Sequence, residues 1–584
     1  MAGLESLSDD ILYMIVCQVL YPQQTFILRH LRLVSQRLKS FADTELFREL
    51  VLVDDEDHEL TTFRLVERLA DPEDSLRRHV RALQIKAFKG DEHSFCMNTS
   101  LLDSCLRSII RLESFSWDSD VQVPSTLLQS LRHDLPCARI YASLRNLDHN
   151  ILRLPNLYRL DISIHHSETP LDLSRQRWKQ LRNLILSSRN LRILSIDTHL
   201  ETVTKPHQYP SLKDTQLNPL LESSGQSSYI YNKFIQLPLE IGDMIPPLED
   251  FQIRAKRYNL DIKHCSRLLK CMDWTKLKRL RIETTYPDIF FRLFQGRLSQ
   301  LKTLDFACFN HDQLRRETQE PEALYLECSY FIQGIDNLEE LTVRCDVLDV
   351  RYSFWSCLIG AQWRPLKHLS ILPRLDDSDS PMWVGNFGSV LSSLQNLVTL
   401  NVDMEPSVSD PGRCSCRTQR THALSTEYIG RLPIMSSLQE LAITIKVQPC
   451  VERSLESYIS EHAHCVIRTL WATYANAYEK CALQMFRLTF WRWEPTTLRY
   501  TDLSSDRRSH VSKIVFESII LDDNRVAVKT CGTKQIKSSL YHPMSEVTND
   551  GPRIYYVSSD GVGKAQETAR FPRKIAELIR EFMS

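Results

Sequence analysis

The chain has 584 residues, 42% hydrophobic and 25% charged, enough for several domains or one long repeat array with a large core. A formal net charge of −1 removes any global electrostatic case for nucleic acid or an anionic membrane as partner. Glycine is scarce, at 15 residues, which argues against phosphate-cradling loops, where the backbone must approach its ligand without a Cβ in the way.

The first fifty residues read as three short helices. Ser8 is placed to cap the first, and Asp9 and Asp10 put negative charge at its positive end. Ile11, Leu12, Ile15, Val16 and Val19 then fall on one apolar face, and Tyr21-Pro22 ends the helix. Leu28, Leu31, Leu38 and Phe41 make a second stripe, and Leu46, Phe47 and Leu50 a short third one. Three helices this short cannot bury all of that surface, so a partner or the following domain must cover some of it.

The order Leu7-Ser8-Asp9-Asp10-Ile11-Leu12, Ile15, Leu31 to Leu38 with Arg37, Phe41-Ala42 and Leu46 to Leu50 resembles an F-box. That family docks onto the Skp-type adaptor of a cullin–RING ubiquitin ligase. The resemblance implies that Leu7, Ser8, Ile11, Leu12, Ile15, Val34, Arg37, Leu38, Phe41 and Phe47 meet the adaptor. It also implies that the rest of the chain selects a protein substrate and catalyses nothing itself. From the residues alone, the same helices serve as a cap on the next domain's core.

From residue 76 the chain repeats apolar-x-x-apolar-x-apolar, a strand signal. Weak copies are Val80/Leu83/Ile85 and Leu112/Phe115/Trp117. Clear ones are Leu157/Leu160/Ile162, Leu191/Leu194/Ile196, Leu248/Phe251/Ile253, Leu277/Leu280/Ile282 and Leu301/Leu304/Phe306. The series continues as Leu338/Leu341/Val343, Leu366/Leu369/Ile371, Leu397/Leu400/Val402 and Leu438/Leu441/Ile443. Clear copies lie 24 to 57 residues apart with amphipathic stretches between, such as Trp178, Leu181, Leu184 and Ile185. That recurrence marks units which bury their apolar sides against one another. The pattern resembles a leucine-rich-repeat array, although the asparagine or cysteine that follows in that signature is replaced by His165, His199, Thr285, Asp346, Arg374, Glu405 and Lys446. The layout is similar to fungal F-box proteins.

Three stretches read as surface insertions: Asp197 to Pro247, His311 to Glu327 and Glu405 to Ser425. After Val447 the pattern changes to a helix over Leu455 to Tyr478, strands over Leu488 to Trp493 and Lys513 to Leu521, and a terminal helix bearing Ile575, Leu578, Ile579 and Phe582. Trp471, Phe490, Trp491 and Trp493 read as core residues of this tail.

Candidate chemistry is thin. The sixteen cysteines lack paired spacing and read as reduced, buried small hydrophobes. Cys414-Ser415-Cys416 and His462-Ala463-His464-Cys465 are the tight groups of soft ligands, but a structural zinc site wants four ligands with wider internal spacing. Gly561-Val562-Gly563-Lys564-Ala565 is the nearest approach to a P-loop, with Ser558 and Ala565 at two of its key positions. No G-x-S-x-G or H-E-x-x-H occurs. No metal, cofactor or catalytic residue is therefore assigned.

The expected fold is α/β: an F-box over 1–50, a linker helix over 51–75, an irregular leucine-rich-repeat-like solenoid over 76–447 and a C-terminal α+β cap over 448–584. The expected role is the substrate-receptor subunit of a Skp–cullin–F-box ligase, working by proximity, in cytoplasm or nucleus, with no nucleic-acid or membrane partner. Alternatives are a non-catalytic repeat scaffold and an enzyme whose site escapes recognition. In each strand the residues between the leucines point away from the core. They nominate Asp161, Asp197, Arg254, Arg281, Glu283, Asp305, Arg344 and Asp403 as a substrate surface of mixed charge. Arg254, Arg281 and Arg344 are also candidates for a local anion pocket.

Overall fold

The computed structural model describes residues 7–18, 24–94, 97–165, 171–199, 236–255, 258–284, 287–308, 321–345, 365–373, 394, 396–404, 437–446, 483–493, 511–520, 526–531, 538–541 and 555–557. The chain divides into two units, Met1–Val203 with Pro210–Thr284, and Thr285–Ser584 with Thr204–Tyr209.

The first unit opens with helices α1 (Asp9–Gln18), α2 (Gln24–Leu31) and α3 (Gln36–Leu46). The carbonyl of Ser8 accepts the first helical bond of α1 from Leu12 N–H, and the Ser35 hydroxyl caps α3 at Leu38 N–H. Strand β1 (Glu49–Val53) follows after two residues, Phe47 and Arg48. Then come α4 (Glu59–Ala70), α5 (Leu76–His79), β2 (Ala82–Lys86), α6 (Thr99–Ser108), β3 (Ser114–Asp118), α7 (Ser125–His133) and β4 (Arg139–Leu144). β5 (Leu157–His165), α8 (Leu171–Ser187), β6 (Ile193–His199), β7 (Asp250–Arg254), α9 (Ile262–Cys271) and β8 (Arg279–Thr284) complete the unit. Each strand pairs in parallel with the next in sequence, from β1 to β8. Strand order never reverses along this ladder, so it lacks the switch-point crevice where open α/β sheets bind nucleotides.

The second unit follows the same rule. Helix α10 (Asp288–Phe294) precedes β9 (Thr303–Cys308), and α11 (Pro321–Gln333) leads into β10 (Glu340–Cys345). β11 (His368–Pro373), β12 (Thr399–Met404), β13 (Glu440–Lys446) and β14 (Met485–Trp493) add on in parallel. β15 (Val511–Ile520), β16 (Val526–Cys531), β17 (Ser538–Tyr541) and β18 (Tyr555–Val557) then extend the sheet as an antiparallel series. Phe290 stacks on Phe294 at 4.0 Å between ring centres, and Phe291 meets Phe306 and Phe331 at 5.4 and 4.9 Å. That phenylalanine cluster fastens α10 and α11 to β9.

One local geometry recurs in both units. The carbonyl just before a strand accepts two N–H groups from the residues that start the next strand. Arg48 O receives Arg81 and Ala82, Arg192 O receives Glu249 and Asp250, and Lys302 O receives Glu339 and Glu340, all at 2.7–3.1 Å. All three apolar residues of each clear copy of the motif are buried, including the leading leucines 157, 191, 277, 301 and 397. At roughly 1.5–3 kcal/mol per buried leucine, this ladder contributes strongly to the stability of both units. An asparagine before the leading leucine adds a second tie. Asn190 Nδ2 donates to Pro155 O at 2.9 Å, Asn337 Nδ2 to Ser299 O at 3.0 Å, and Asn156 Nδ2 to Ala138 O.

All the strand motifs read from the sequence form strands in these ladders. Three further units share the spacing: Phe47/Leu50/Leu52 at β1, Cys137/Ile140/Ala142 at β4, and Leu483/Phe486/Leu488 at β14. The expected linker helix over 51–75 thus contains the end of β1 before α4 begins, and the repeat continues past residue 447. The expected insertion from His311 to Glu327 contains the start of α11. Asp197 lies within β6. The insertion over 405–425, the expected tail helices, Trp471, the Cys414 and His462 groups and the glycine-rich stretch at 561 lie outside the described residues. Of the described part of the tail, the antiparallel strands β16 to β18 are additional to what the sequence suggested.

His264 gives the first unit a pH dependence. Its Nε2 lies 2.9 Å from the Tyr258 hydroxyl, whose oxygen also accepts the Leu237 N–H. Burial pushes the imidazole down to about 4, so the folded protein holds it neutral. The unfolded chain, with an ordinary value near ~6.5, takes up the proton first as pH falls. The stabilisation is complete above that value and is lost as pH falls toward 4, roughly 2 kcal/mol being gone by pH ~5. Thermal unfolding at pH 7 and pH 5 should show a drop in the wild type that His264→Gln makes shallower. An equal drop in both proteins would assign the acid sensitivity to other groups.

Candidate functional site

The helical module separates its apolar residues into two sets. Leu12, Val16, Leu28, Leu38 and Ala42 form a closed core, with Leu7, Leu31, Phe41 and Leu46 packed against it. Leu12 and Leu38, expected to meet an adaptor, are thus interior residues that hold the three helices together. Outside this core, Ile11 (37% exposed) and Met14 (57%) stand three residues apart on one face of α1. Leu33 (84%) and Val34 (68%) project from the turn between α2 and α3.

The remaining expected adaptor residues have internal duties or none described. Arg37 Nε donates to Asp9 Oδ1 at 2.8 Å and its Nη2 to Leu7 O at 2.8 Å, tying the start of α1 to α3. Phe41 lies 6.3 Å from the Tyr13 ring, centre to centre. Phe47 is held between the Arg32 and Arg68 guanidinium groups at 5.4 and 5.6 Å, which joins the module to α4. Ser8 is exposed, and the Ile15 side chain lies outside the described residues. Leu33 and Met14 were absent from the expected set. Leu33-Val34 carried a readable signal, an apolar pair in a connection with no helical face to join.

The second candidate surface is the polar face of the strands. Burial alternates along them, as in β2, where Leu83 and Ile85 are interior and Ala82, Gln84 and Lys86 lie on the other face. Register places Asp161, Ser195, Gln252 and Arg281 in one row across β5 to β8, and Ser163, Asp197, Arg254 and Glu283 in the next. The charges in these rows are largely matched within the sheet. Arg159 meets Asp161 at 2.8 Å, Arg254 meets Asp197 at 3.3 Å, Arg279 meets Asp250 at 3.0 Å, and Arg281 pairs with Glu283. In the second unit Arg344 forks onto Asp305 at 3.1–3.2 Å. Asp403 lies on β12 with its side chain outside the described residues.

These pairs bear on the anion pocket suggested by Arg254, Arg281 and Arg344. Each guanidinium already faces a carboxylate of its own sheet, so an incoming anion would have to displace one. Asp161 is the most perturbed acid of the face. Burial raises its carboxyl above the ordinary range against the opposing pull of Arg159 and then Arg254. Beside it the Ser195 hydroxyl, on a residue 3% exposed, has no hydrogen-bond partner. Ser195 was not among the expected site residues. Its signal was its place alone, the small residue between Leu194 and Ile196 of a motif copy.

Among the described residues, no group of three or more His, Cys, Asp or Glu is placed to hold a metal ion, and no helix is long and apolar enough to cross a membrane. No protein-family model matches the chain, and no curated protein matches it. Among solved structures, the central domain of yeast acetyl-CoA carboxylase aligns at 7% identity and a TM-score of 0.14. That alignment covers 48% of this chain and 42% of that one, so the chain spans less than half of the structure it matches. A likeness this slight carries no argument about fold or function. What is shown is an α/β protein built on parallel sheets.

The division of the helical module is open to direct measurement. Leu12→Asp buries an unpaired carboxylate and should open the module, whereas Val34→Asp should leave it closed. Hydrogen exchange over residues 7–46 should accelerate strongly in the first variant and match the wild type in the second. Similar exchange in both variants would contradict the closed core.

Proposed function

We propose that this chain is an F-box-type receptor that brings a protein substrate to a Skp–cullin–RING ubiquitin ligase. The observation that carries the proposal is the exposure of Ile11, Met14, Leu33 and Val34 on a helical module whose own core is already closed. Helices that served to cap the sheet would turn these side chains inward. Here four large apolar groups are left for a partner, and they lie within the stretch that resembles an F-box.

In this reading the strand units form a leucine-rich-repeat-like solenoid, and the polar face of its strands takes the substrate. Parallel neighbours in sequence order, buried motif leucines and the recurring shared carbonyl all support that part. The receptor acts through proximity. Holding the substrate near the ubiquitin-carrying enzyme raises its effective concentration, and no residue of this chain enters the chemistry. Cytoplasm and nucleus are the compartments where such a ligase would operate.

The scaffold reading keeps one observation in its favour. The module is fastened to the first strand–helix unit by the Phe47 clamp and by Thr44 Oγ1, 3.0 Å from His79 Nδ1. Capping and docking are compatible, and adaptor capture separates docking from capping alone. The full chain mixed with a Skp-type adaptor should form a stable complex, and Leu33→Asp with Val34→Asp should weaken it more than tenfold, since each lost apolar contact is worth roughly 1–3 kcal/mol. No complex with the wild-type chain, or equal capture by the double variant, would sink the receptor reading.

A further inference from the structure

The parallel pairs from β1 to β8 run in continuous register except where β4 meets β5. There Ile140 pairs with Leu157 and the next residue, Tyr141, pairs with Arg159, which leaves Tyr158 as an extra residue of β5. A bulge of this kind bends its strand and re-aims a side chain. The Tyr158 ring lies under the Arg139 guanidinium at 4.9 Å and 5.9 Å from the Tyr141 ring, centre to centre.

Arg139 differs from the other arginines of the polar face. Arg159, Arg254, Arg279, Arg281 and Arg344 each meet a carboxylate. Arg139 is exposed, and among the described residues its guanidinium meets the Tyr158 ring and no acid. Glu113, whose carbonyl accepts the Arg139 N–H, has its carboxylate 3.8 Å from Arg81 instead. On the β3 side the register neighbours are short, Ser114 beside Arg139 and Ser116 beside Tyr141. A cation and two half-buried rings therefore rise next to a low row of serines.

We propose that Arg139, Tyr141 and Tyr158 bind the carboxylate of an aspartate or glutamate carried by a bound protein segment. The inference rests on the reading of this face as the substrate surface, and it names the group selected there. The ring contact occupies one face of the guanidinium and leaves its N–H edges for a two-pronged bond to a carboxylate. Stacking also orients the group before a ligand arrives, which lowers the ordering cost of binding. The tyrosine rings add apolar contact area, and clustered tyrosine and arginine are the usual anchors of protein interfaces.

Charge balance selects among ligands. One unmatched cation balances the single charge of a carboxylate. A phosphoryl group carries about −1.5 to −2 at pH 7 and would leave charge uncompensated, because the adjacent Arg159 is already held by Asp161. A basic side chain would meet a like charge. Salt screens a lone exposed charge over roughly 8 Å, so the choice is made at contact.

The test uses the full chain and a displayed library of random linear peptides. The expected result is convergence on aspartate or glutamate at one fixed position. Binding of a selected peptide should weaken about tenfold or more when that residue becomes asparagine or glutamine, or when the protein carries Arg139→Gln. Tyr158→Leu removes the ring beneath the guanidinium and should weaken binding about threefold, whereas Tyr158→Phe should retain most of it. Equal melting temperatures of Arg139→Gln and the wild type, expected for an exposed side chain, control for folding. Convergence on a basic or apolar residue would overturn the proposal. So would a library that yields no binder, unchanged binding to Arg139→Gln, or a tenfold gain when phosphoserine replaces the acidic residue, the mark of a phosphoryl site. Adaptor capture by the same preparations is a separate readout, so failure of the receptor reading is distinguishable from failure of the carboxylate site.

Discussion

The shared carbonyl that recurs between successive parallel strands is the constraint on which the rest depends. When Lys302 O takes both Glu339 and Glu340, at 2.8 and 2.9 Å, the register of β9 and β10 has no freedom left. The side-chain period in a strand is two, so a slip of one residue would turn every motif leucine to the polar face. Fixing the register therefore fixes which residues are core and which are offered outward. Register sets Asp197 opposite Arg254, and Asp305 diagonally across from Arg344, within reach of their ion pairs.

The helical module is bound by the same geometry at its junction with the sheet. Arg48, two residues past α3, supplies the carbonyl that receives Arg81 and Ala82, so the last helix leads into the first turn of the ladder. Phe47 between Arg32 and Arg68 adds packing across that junction. The module accordingly needs no outside partner to close its core, and the exposure of Leu33 and Val34 is a property of a finished structure. A loosely attached module would bury them by rearranging, since exposed apolar surface of that kind is costly unless something else covers it.

Much of the fold was legible because its signal is local. Leucines at fixed spacing mark the strands, and Leu157, Leu160 and Ile162 or Leu277, Leu280 and Ile282 occupy the positions their spacing implies. Units with weaker or displaced signals were harder to see. At β4 the leading position holds the exposed Cys137, and at β1 it is the Phe47 of a helix end. The asparagines were legible in principle but sought on the wrong side of the strand. The leucine-rich-repeat signature places one after it, whereas Asn156, Asn190 and Asn337 act before it. The site was less legible, because partition between core and surface depends on three-dimensional packing. Leu12 and Ile11 are adjacent, equally apolar and on the same helix, yet one is sealed and the other exposed. No spacing rule separates them. Nor does spacing show that Arg281 is matched by Glu283 two residues along its own strand.

In the proposed receptor, that matching changes what kind of recognition the strand face performs. Unpaired charges would give a long-range field and a preference for one sign, strong at low salt and weak at physiological ionic strength. A face whose ions are already paired has little such field, so it cannot draw a partner by charge or reject one by charge alone. Discrimination must then come at contact, from polar atoms that gain partners with the right ligand and stay unsatisfied with a wrong one.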